Sequence, residues 1–444
     1  MKTKKAKPEL AVIILAAGRG KRMKSTLPKV LHPLAGRALV HWLLATVQKL
    51  KPVRIIVVTA PDMDDVREAV APHICVVQKK ALGTGDAVKA ALPALKGFKG
   101  DVLILLGDMP LITLPTLKNL VKARHHDQET GLAVLGAYYN PTPDFGRLVE
   151  NADGTLAKIV EHKDATVEQR KINLCNTGAF CVDGAHLAGW LGKLTNANAQ
   201  KEFYITDLPA IAGRAGYKTQ IAVTEDLDEV QGVNSRVDLA MMEYIVQSAM
   251  RLNALEAGVT MPDPASVYFS YDTEVGQDVV IEPNVFIGPG VIIEDNVTIR
   301  AFSHLEGARL KPGATIGPFA RLRPGAELGE NVHIGNFVEV KNARLGKGVK
   351  AGHLAYIGDA VLGEGVNYSC GAITANYDGV NKHKTVIGKN VMVGSNVNLI
   401  APVTIGDGAS LAAGSTITED VPKDKLAIAR ARQSNLRKPV IKKK

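Results

Sequence analysis

"VGQDVVIEPNVFIGPGVIIEDNVT", residues 275–298, divides into four hexads, VGQDVV, IEPNVF, IGPGVI and IEDNVT, and each opens on an aliphatic residue. The second place is small or acidic and the fifth is usually valine. A strand alternates with period two and a helix repeats every 3.6 residues, so a period of six belongs to neither alone. It marks a coil of short flat faces, three to a turn, whose aliphatic knobs point inward and stack from one turn to the next. The pattern returns in IGPFAR, LRPGAE, LGENVH and IGNFVE, residues 316–339, and again from IGKNVM to LAAGST, residues 387–416. Five-residue slips fall near Leu305, Val340 and Ile357, and residues 374–386 leave the register as a loop. A parallel β-helix with one aliphatic core is expected for this part of the chain.

Outward from the hexads the rhythm changes. The two prolines of MPDPAS, residues 261–266, punctuate the chain, and before them the spacing predicts a helix over 238–258. Its apolar stripe is Leu239, Met242, Ile245, Val246, Ala249 and Leu252, with Gly258 as the stop. From Leu10 to about Val237, the buried runs AVIILAA, VRIIVVTA, ICVVQ and DVLILLGD alternate with helical patterns over 40–50, 64–70 and 86–95. That alternation predicts a mostly parallel α/β sheet. The expected organisation is an α/β domain over 1–237, a helical linker over 238–261 and the β-helix over 262–444, ending in a basic tail. Ligands of such sheets sit beyond the carboxyl ends of strands. LAAGRGKRM, residues 15–23, and LLGDMP, residues 105–110, both begin there and are placed to share one crevice.

The 444 residues, 46% hydrophobic and 22% charged, fit a folded soluble chain of two or three domains. The net charge of +10 calls for anionic partners, although much of the excess sits in the terminal runs MKTKKAK, residues 1–7, and RKPVIKKK, residues 437–444. No basic patch is interleaved with aromatics in the manner of a nucleic-acid platform. Cys75, Cys175, Cys181 and Cys370 lie far apart with no CxxC pair, which argues against a disulfide framework and a zinc site and makes the cytoplasm the expected location. The apolar core after the basic start ends in a glycine-basic loop rather than a cleavage site, and no apolar run is long enough for a membrane helix.

Gly18 and Gly20 let backbone N–H groups approach an anion, and Arg19, Lys21, Arg22 and Lys24 neutralise it, although the loop matches neither the P-loop nor the dinucleotide fingerprint. With Lys29 and the GDMP of residues 107–110, the pattern resembles the nucleotidyltransferases that make nucleoside-diphosphate sugars. The match continues in order through LGTGDA (82–87), FGRLVE (145–150), IVEHKDAT (159–166), CNTG (175–178), KEFYITD (201–207) and GVNSR (232–236). The second half adds NFVEVKNARLGKG (336–348), AGHLAYIGDA (351–360) and ITANYDGVNKHKT (373–385), where a β-helix core alone requires no His, Tyr, Lys or Asn. Over nearly its whole length the chain resembles the bifunctional N-acetylglucosamine-1-phosphate uridyltransferase/glucosamine-1-phosphate N-acetyltransferase family.

That resemblance implies a Rossmann-like nucleotidyltransferase followed by a left-handed parallel β-helix, a hand that the hexads do not fix by themselves. It implies acetylation of glucosamine-1-phosphate from acetyl-CoA, then Mg²⁺-dependent uridyl transfer from UTP, which supplies a precursor of bacterial peptidoglycan and lipopolysaccharide. Leu15, Ala16, Ala17, Gly18 and Arg22 would hold the nucleotide, Lys29 the phosphates, and Gln78, Gly83 and Thr84 the uracil and ribose. Gly107 and Asp108 form the turn of GDMP, and Asp108 and Asn234 would be the magnesium ligands; Gly146, Glu161 and Asn176 would hold N-acetylglucosamine. His353 would be the general base, Arg323, Lys341, Tyr356, Asn367 and Lys382 would hold glucosamine-1-phosphate, and Cys370, Asn376, Tyr377, Ser395, Ala413 and Arg430 would hold acetyl-CoA. The resemblance further implies a homotrimer with acetyltransferase sites between subunits, acting on small molecules without nucleic acid or membrane insertion.

Three departures stand out. Leu106 replaces an aromatic residue before Gly-Asp, Tyr368-Ser369 replaces an aliphatic residue and Gly, and Cys370 replaces Ala. Two other readings stay open at this stage. One is a transferase for a different sugar whose hexads serve assembly, and the other is a non-catalytic binding module on the same folds.

Overall fold

The structure is a computed structural model that describes residues 9–438, so the basic run 1–7 and all but the first two residues of the run 437–444 lie outside it. The chain forms two compact units, Met1–Ile245 and Val246–Lys444.

The first unit is built on a nine-stranded sheet in which seven strands follow the order Lys218–Thr224, Thr130–Tyr138, Leu174–Asp183, Asp101–Leu106, Leu10–Leu15, Arg54–Thr59 and Ile74–Val77, while Arg147–Glu150 pairs with Leu174–Asp183 and with Leu156–Val160 off that path. The strand Leu10–Leu15 runs in parallel between Asp101–Leu106 and Arg54–Thr59. Its unbroken apolar run is explained by helices on both faces. Ala11 and Ile13 pack with Ala87, Val88 and Trp190, while Val12 and Ile14 pack with Val40, Leu43 and Leu117. Leu174–Asp183 is antiparallel to both its neighbours, so the sheet is mostly rather than wholly parallel. The helix expected over 86–95 divides into an α-helix, Thr84–Ala91, and a 3-10 turn, Leu92–Leu95. Pro93 lacks the N–H that would continue the α-helical ladder.

The long helix spans Arg236–Glu256 and differs from its expected stripe. Met242 and Val246 are buried, but Ala249 is exposed and Leu252 is 55% exposed. Two polar residues take the inner positions instead. The Gln247 side chain donates to the Phe269 carbonyl (2.6 Å) and accepts from the Phe269 N–H (2.9 Å), and Arg251 donates to the Ala265 carbonyl (2.9 Å). A count of hydrophobes cannot register such pairing. These anchors tie the second half of the helix to residues 264–269, within the unit Val246–Lys444.

The second unit is the left-handed β-helix, a 21-stranded parallel sheet wound on itself. Ile293, Leu310, Leu328, Leu345, Leu362, Ile387 and Ile405 form one buried column through successive coils. In the body of the β-helix neighbouring coils meet at spacings of 17 or 18 residues, but the coil that carries the loop meets its neighbour at 25. The loop itself is shorter than expected, residues 376–384, because Ile373–Ala375 and Thr385–Ile387 are strands in register with the next coil. Tyr368, one of the departures, fills an inward station at 1% exposure, and its hydroxyl donates to the Tyr356 carbonyl (3.2 Å).

Most coil corners with left-handed backbone carry Gly, Asn or Asp, which adopt it cheaply. One corner is different: Phe302, Phe319, Phe337 and Leu354 occupy it in successive coils at φ of 60°, 56°, 57° and 50°. The rings stack at 4.9 and 5.4 Å, and all four side chains are about half exposed.

Candidate active sites

In the first unit, the chain leaves strand Leu10–Leu15 through Ala16, whose N–H is held by Val58, while Leu15 accepts from the Gly107 N–H (2.9 Å). The two strand-end motifs are thereby fastened together. A cleft of about 300 Å³ opens above them, lined by Leu15, Ala16, Ala17, Gly18, Lys29, Gln78, Gly83, Thr84 and Asp108. Gly107 serves the turn rather than the lining, since a Cβ there would stand 3.0 Å from the Leu15 carbonyl oxygen. Arg22 lies exposed on the 3-10 turn Lys21–Met23, outside that lining.

The far wall is set by KEFYITD. Gly85 N–H bonds to the Phe203 carbonyl, Phe203 N–H to Leu82, and Ile205 N–H to the Thr84 hydroxyl. Gly83 has φ +109°, and a Cβ would stand 2.6 Å from the Phe203 oxygen, so only glycine fits. Gln78, nearly buried, donates to the Gly83 carbonyl (3.1 Å) and the Asp86 carboxylate (2.9 Å), which fixes its amide at the edge of the cleft.

A second cavity of about 200 Å³ shares Leu106 and Asp108 with the first and adds Gly146, Glu161, Asn176 and Asn234. The strand Leu174–Asp183 shifts register between Asn176 and Phe180, a bulge that turns Asn176 into the cavity wall. Asn176 donates its backbone N–H to Gly146 (2.8 Å) and accepts the Gly178 N–H on its side chain (3.0 Å). The departure at Leu106 packs against this bulge, since a Cβ on Gly178 would lie 2.5 Å from its side chain. Glu161 accepts from the Thr206 hydroxyl (2.9 Å), and burial pushes its carboxyl above the usual range. Sequence reasoning missed Arg147, buried at 1% exposure, whose guanidinium holds the carbonyls of Phe145 and Arg170 and so shapes the wall next to Gly146.

Where the cavities meet, the Lys29 ammonium binds the Asp108 carboxylate and the Asn234 side-chain oxygen, the latter at 3.0 Å. Val233 N–H bonds to the Asp108 carbonyl, and Asp238 accepts from the backbone N–H groups of Asn234 and Ser235 (2.9 and 2.8 Å). One carboxylate and one amide oxygen therefore converge on a single cation, a donor set that suits a hard divalent ion whose remaining positions go to water and phosphate. Among the described residues no group of three or more His, Cys, Asp or Glu could hold a metal. Arg236, also missed, donates to the Met23 carbonyl (3.2 Å) and meets His32 Nδ1 (3.2 Å), joining the glycine-rich loop to the Asn234 turn. Burial and the Arg236 charge hold His32 below its ordinary pKa.

In the β-helix, His353 pairs in register with Asn336, and its ring is exposed. Successive coils stack Leu354 on Gly371, Cys370 on Asn396 and Ser395 on Gly414 through backbone hydrogen bonds. His353, Cys370, Ser395 and Ala413 thus stand in one column, with the Arg430 side chain next to Gly414. The corner of Phe302, Phe319, Phe337 and Leu354 runs beside it, one residue on.

Around the next bend Arg323 donates to Glu339 (2.7 Å), and Tyr356 lies in register with Glu339. Lys341 and Lys382 touch, and that contact, with their mutual repulsion, holds the Lys341 ammonium below its usual pKa. Asn376 donates to Asp359, and Tyr377 lies exposed on the loop. Asn367 sits apart on another face, in register with Lys350 and Met392, and its amide donates to Ser369 (3.3 Å). All four cysteines are free.

Residues 12–146 match the MobA-like NTP transferase domain, and residues 272–307, 307–342 and 384–419 match the bacterial transferase hexapeptide (six repeats). Curated relatives named bifunctional protein GlmU include one from Paramagnetospirillum magneticum, 50% identical over 97% of this chain and 96% of that protein. Others come from a Jannaschia species, 49% identical over 96% and 94%, and from Zymomonas mobilis, 45% identical over 96% and 95%.

Proposed function

From the premise that the chain belongs to the GlmU family of bifunctional proteins, and is a nucleotidyltransferase and acetyltransferase of UDP-N-acetylglucosamine synthesis, we propose how its residues divide the work. The sugar phosphate occupies the cavity of Gly146, Glu161 and Asn176, and UTP the adjoining cleft. The observation that carries this reading is the convergence of Lys29, Asp108 and Asn234 where the two meet. Glu161 accepts a sugar hydroxyl, Gln78 reads the base edge, and the backbone of Ala16 to Gly18 receives phosphate. The sugar phosphate oxygen attacks the α-phosphorus and pyrophosphate leaves. The nucleophile is already anionic, so the chain supplies alignment and positive charge rather than a base. Magnesium is the divalent ion proposed for Asp108 and Asn234, where it would neutralise charge on the phosphates.

In the β-helix, His353 takes a proton from the glucosamine ammonium. The freed amine attacks the thioester carbon of acetyl-CoA, the C–S bond breaks, and the extra proton on the new amide nitrogen passes to the departing CoA thiolate, which leaves as the thiol. Lys341 and Lys382 receive the sugar's phosphate, and the column of Cys370, Ser395 and Ala413 flanks the thioester arm. No enzyme nucleophile is required.

A homotrimer is part of this reading. The half-exposed aromatic corner beside His353 supports it, since a second copy laid against that ridge would cover apolar rings and enclose the histidine together. A cytoplasmic location accords with four free cysteines, and among the described residues no helix is long and apolar enough to cross a membrane. The test is one coupled assay with glucosamine-1-phosphate, acetyl-CoA, UTP and Mg²⁺. CoA release followed by pyrophosphate release is expected; failure of either with its own substrates supplied overturns that half.

A further inference from the structure

NYDG marked the acetyl half of the sequence, yet its Asp378 has no part in the reading above, and neither does His383. Both lie in the loop of residues 376–384. Tyr377 and Lys382 form an antiparallel bridge, and the Tyr377 hydroxyl donates to the Gly379 carbonyl (2.6 Å). Asp378 N–H bonds to the Asn381 carbonyl (3.2 Å) and His383 N–H to the Asn376 carbonyl (2.8 Å), so the loop is a tight hairpin.

One carboxylate holds its tip. Asp378 Oδ1 accepts from the backbone N–H of Val380 (2.8 Å) and of Asn381 (2.6 Å), while Oδ2 meets His383 Nε2 (2.7 Å). Asn381 and His383 are the residues on either side of Lys382, so the lysine is gripped from both sides through a single group. At the root, Asn376 is fastened to Asp359, which also accepts from Asn342 (2.5 Å). This staple is set against a cost, because Lys382 is held in contact with the ammonium of Lys341. Two like charges on flexible stems separate unless the backbone beneath them is fixed.

We infer that Asp378 and His383 are positioning residues of the acetyltransferase, which hold the hairpin so that Lys382 stands with Lys341 as a preformed pair for a phosphate monoester. The inference rests on the proposed role of those two lysines. A dianion entering between them exchanges repulsion for two charge-assisted contacts, and a fixed hairpin means that little ordering is lost on binding. Asp378 touches neither the substrate nor the reacting atoms, so its effect should appear in substrate affinity rather than in the chemical step.

The experiment uses the full chain, with glucosamine-1-phosphate varied at saturating acetyl-CoA. Asp378→Ala should raise KM for glucosamine-1-phosphate by about tenfold, the worth of one charge-assisted contact, with kcat within about threefold of wild type. Asp378→Asn keeps the acceptor for Val380 and Asn381 and should regain most of the loss. His383→Ala, which leaves that turn intact, should give a smaller rise in KM. Uridyl transfer measured on the same samples should be unchanged and verifies the fold. Calorimetric affinity for inorganic phosphate should fall in parallel, and this arm still decides the matter if wild-type protein does not acetylate glucosamine-1-phosphate, a result that would overturn the lysines' assigned substrate rather than the staple. Wild-type KM and phosphate affinity in both Asp378→Ala and His383→Ala, or a loss confined to kcat, would overturn the inference.

Discussion

Lys29 shows how one side chain ties two ligands to one place. Its ammonium occupies the position on which Asp108 and Asn234 converge, so on the proposed metal assignment it would compete there with a divalent ion until phosphate drew it away. Lys29→Ala should lose most uridyl transfer yet bind Mn²⁺ more tightly without nucleotide, by roughly 1.5–3 kcal/mol, the worth of a charged hydrogen bond. Electron paramagnetic resonance of free Mn²⁺ measures this, and unchanged affinity would remove Lys29 from the metal's place. Glu161 carries a stability consequence of definite sign. Its carboxyl is raised by burial, so the folded chain keeps that proton to higher pH than the unfolded chain does. Stability therefore falls as pH rises through the window between the ordinary and the raised value, and stays lowered above it. Glu161→Gln keeps an acceptor for Thr206 and should melt higher than wild type near neutral pH, with no advantage below the carboxylate range, while weakening sugar binding. Calorimetric melts across that window check the sign. The residues to which chemistry is assigned in the proposal, Asp108, Asn234 and His353, were picked out because they stand in quoted motifs. Thr206, Arg147 and Arg236 stand in quoted motifs as well, but what they do was not legible there, because each acts through a backbone carbonyl or a partner distant in sequence.

At the scale of elements, legibility followed the period. The hexads foretold the stacked column from Ile293 to Ile405 because an inward aliphatic residue every sixth place has few other uses. The stripe of helix Arg236–Glu256 was misread at Ala249 and Leu252 because Gln247 and Arg251 pack by hydrogen bonding, which hydropathy counts against burial. The bulge at Asn176 left no mark that alternation could detect, although the glycine two residues on is its trace. Close stacking also gives a sharp expectation for the β-helix. A Cβ on Gly335 would stand 1.7 Å from the Gly352 carbonyl oxygen, which is backbone of the coil that carries His353. Gly335→Ala should cost the second unit about 3 kcal/mol, as overpacking with no side chain able to yield. Calorimetry should show a lowered transition, with acetyl transfer lost and uridyl transfer kept.

At the scale of the whole molecule, the two chemistries lie in separate compact units, so they should fail separately. Asp108→Ala should abolish pyrophosphate release while CoA release persists, and full uridyl transfer at ordinary Mg²⁺ would dismiss the metal assignment. Phe319 sets two effects against each other. Asn adopts left-handed backbone more easily, so Phe319→Asn relieves roughly 1–2 kcal/mol of backbone strain while removing a half-exposed ring. On the proposed trimeric assembly, sedimentation should show the wild type as a trimer and the variant dissociated, with acetyl transfer falling alongside; a trimeric variant would leave the aromatic ridge unconnected with assembly. The hairpin coil has a final consequence. Its spacing of 25 residues where neighbours use 17 or 18 leaves the inward columns undisturbed on both sides. Length in such a prism is counted in two independent currencies. Whole coils move everything downstream by one fixed step along the axis, whereas residues added at a corner leave the axis untouched and project sideways. Evolution can therefore remodel the reach of this hairpin without renumbering the scaffold that carries the histidine.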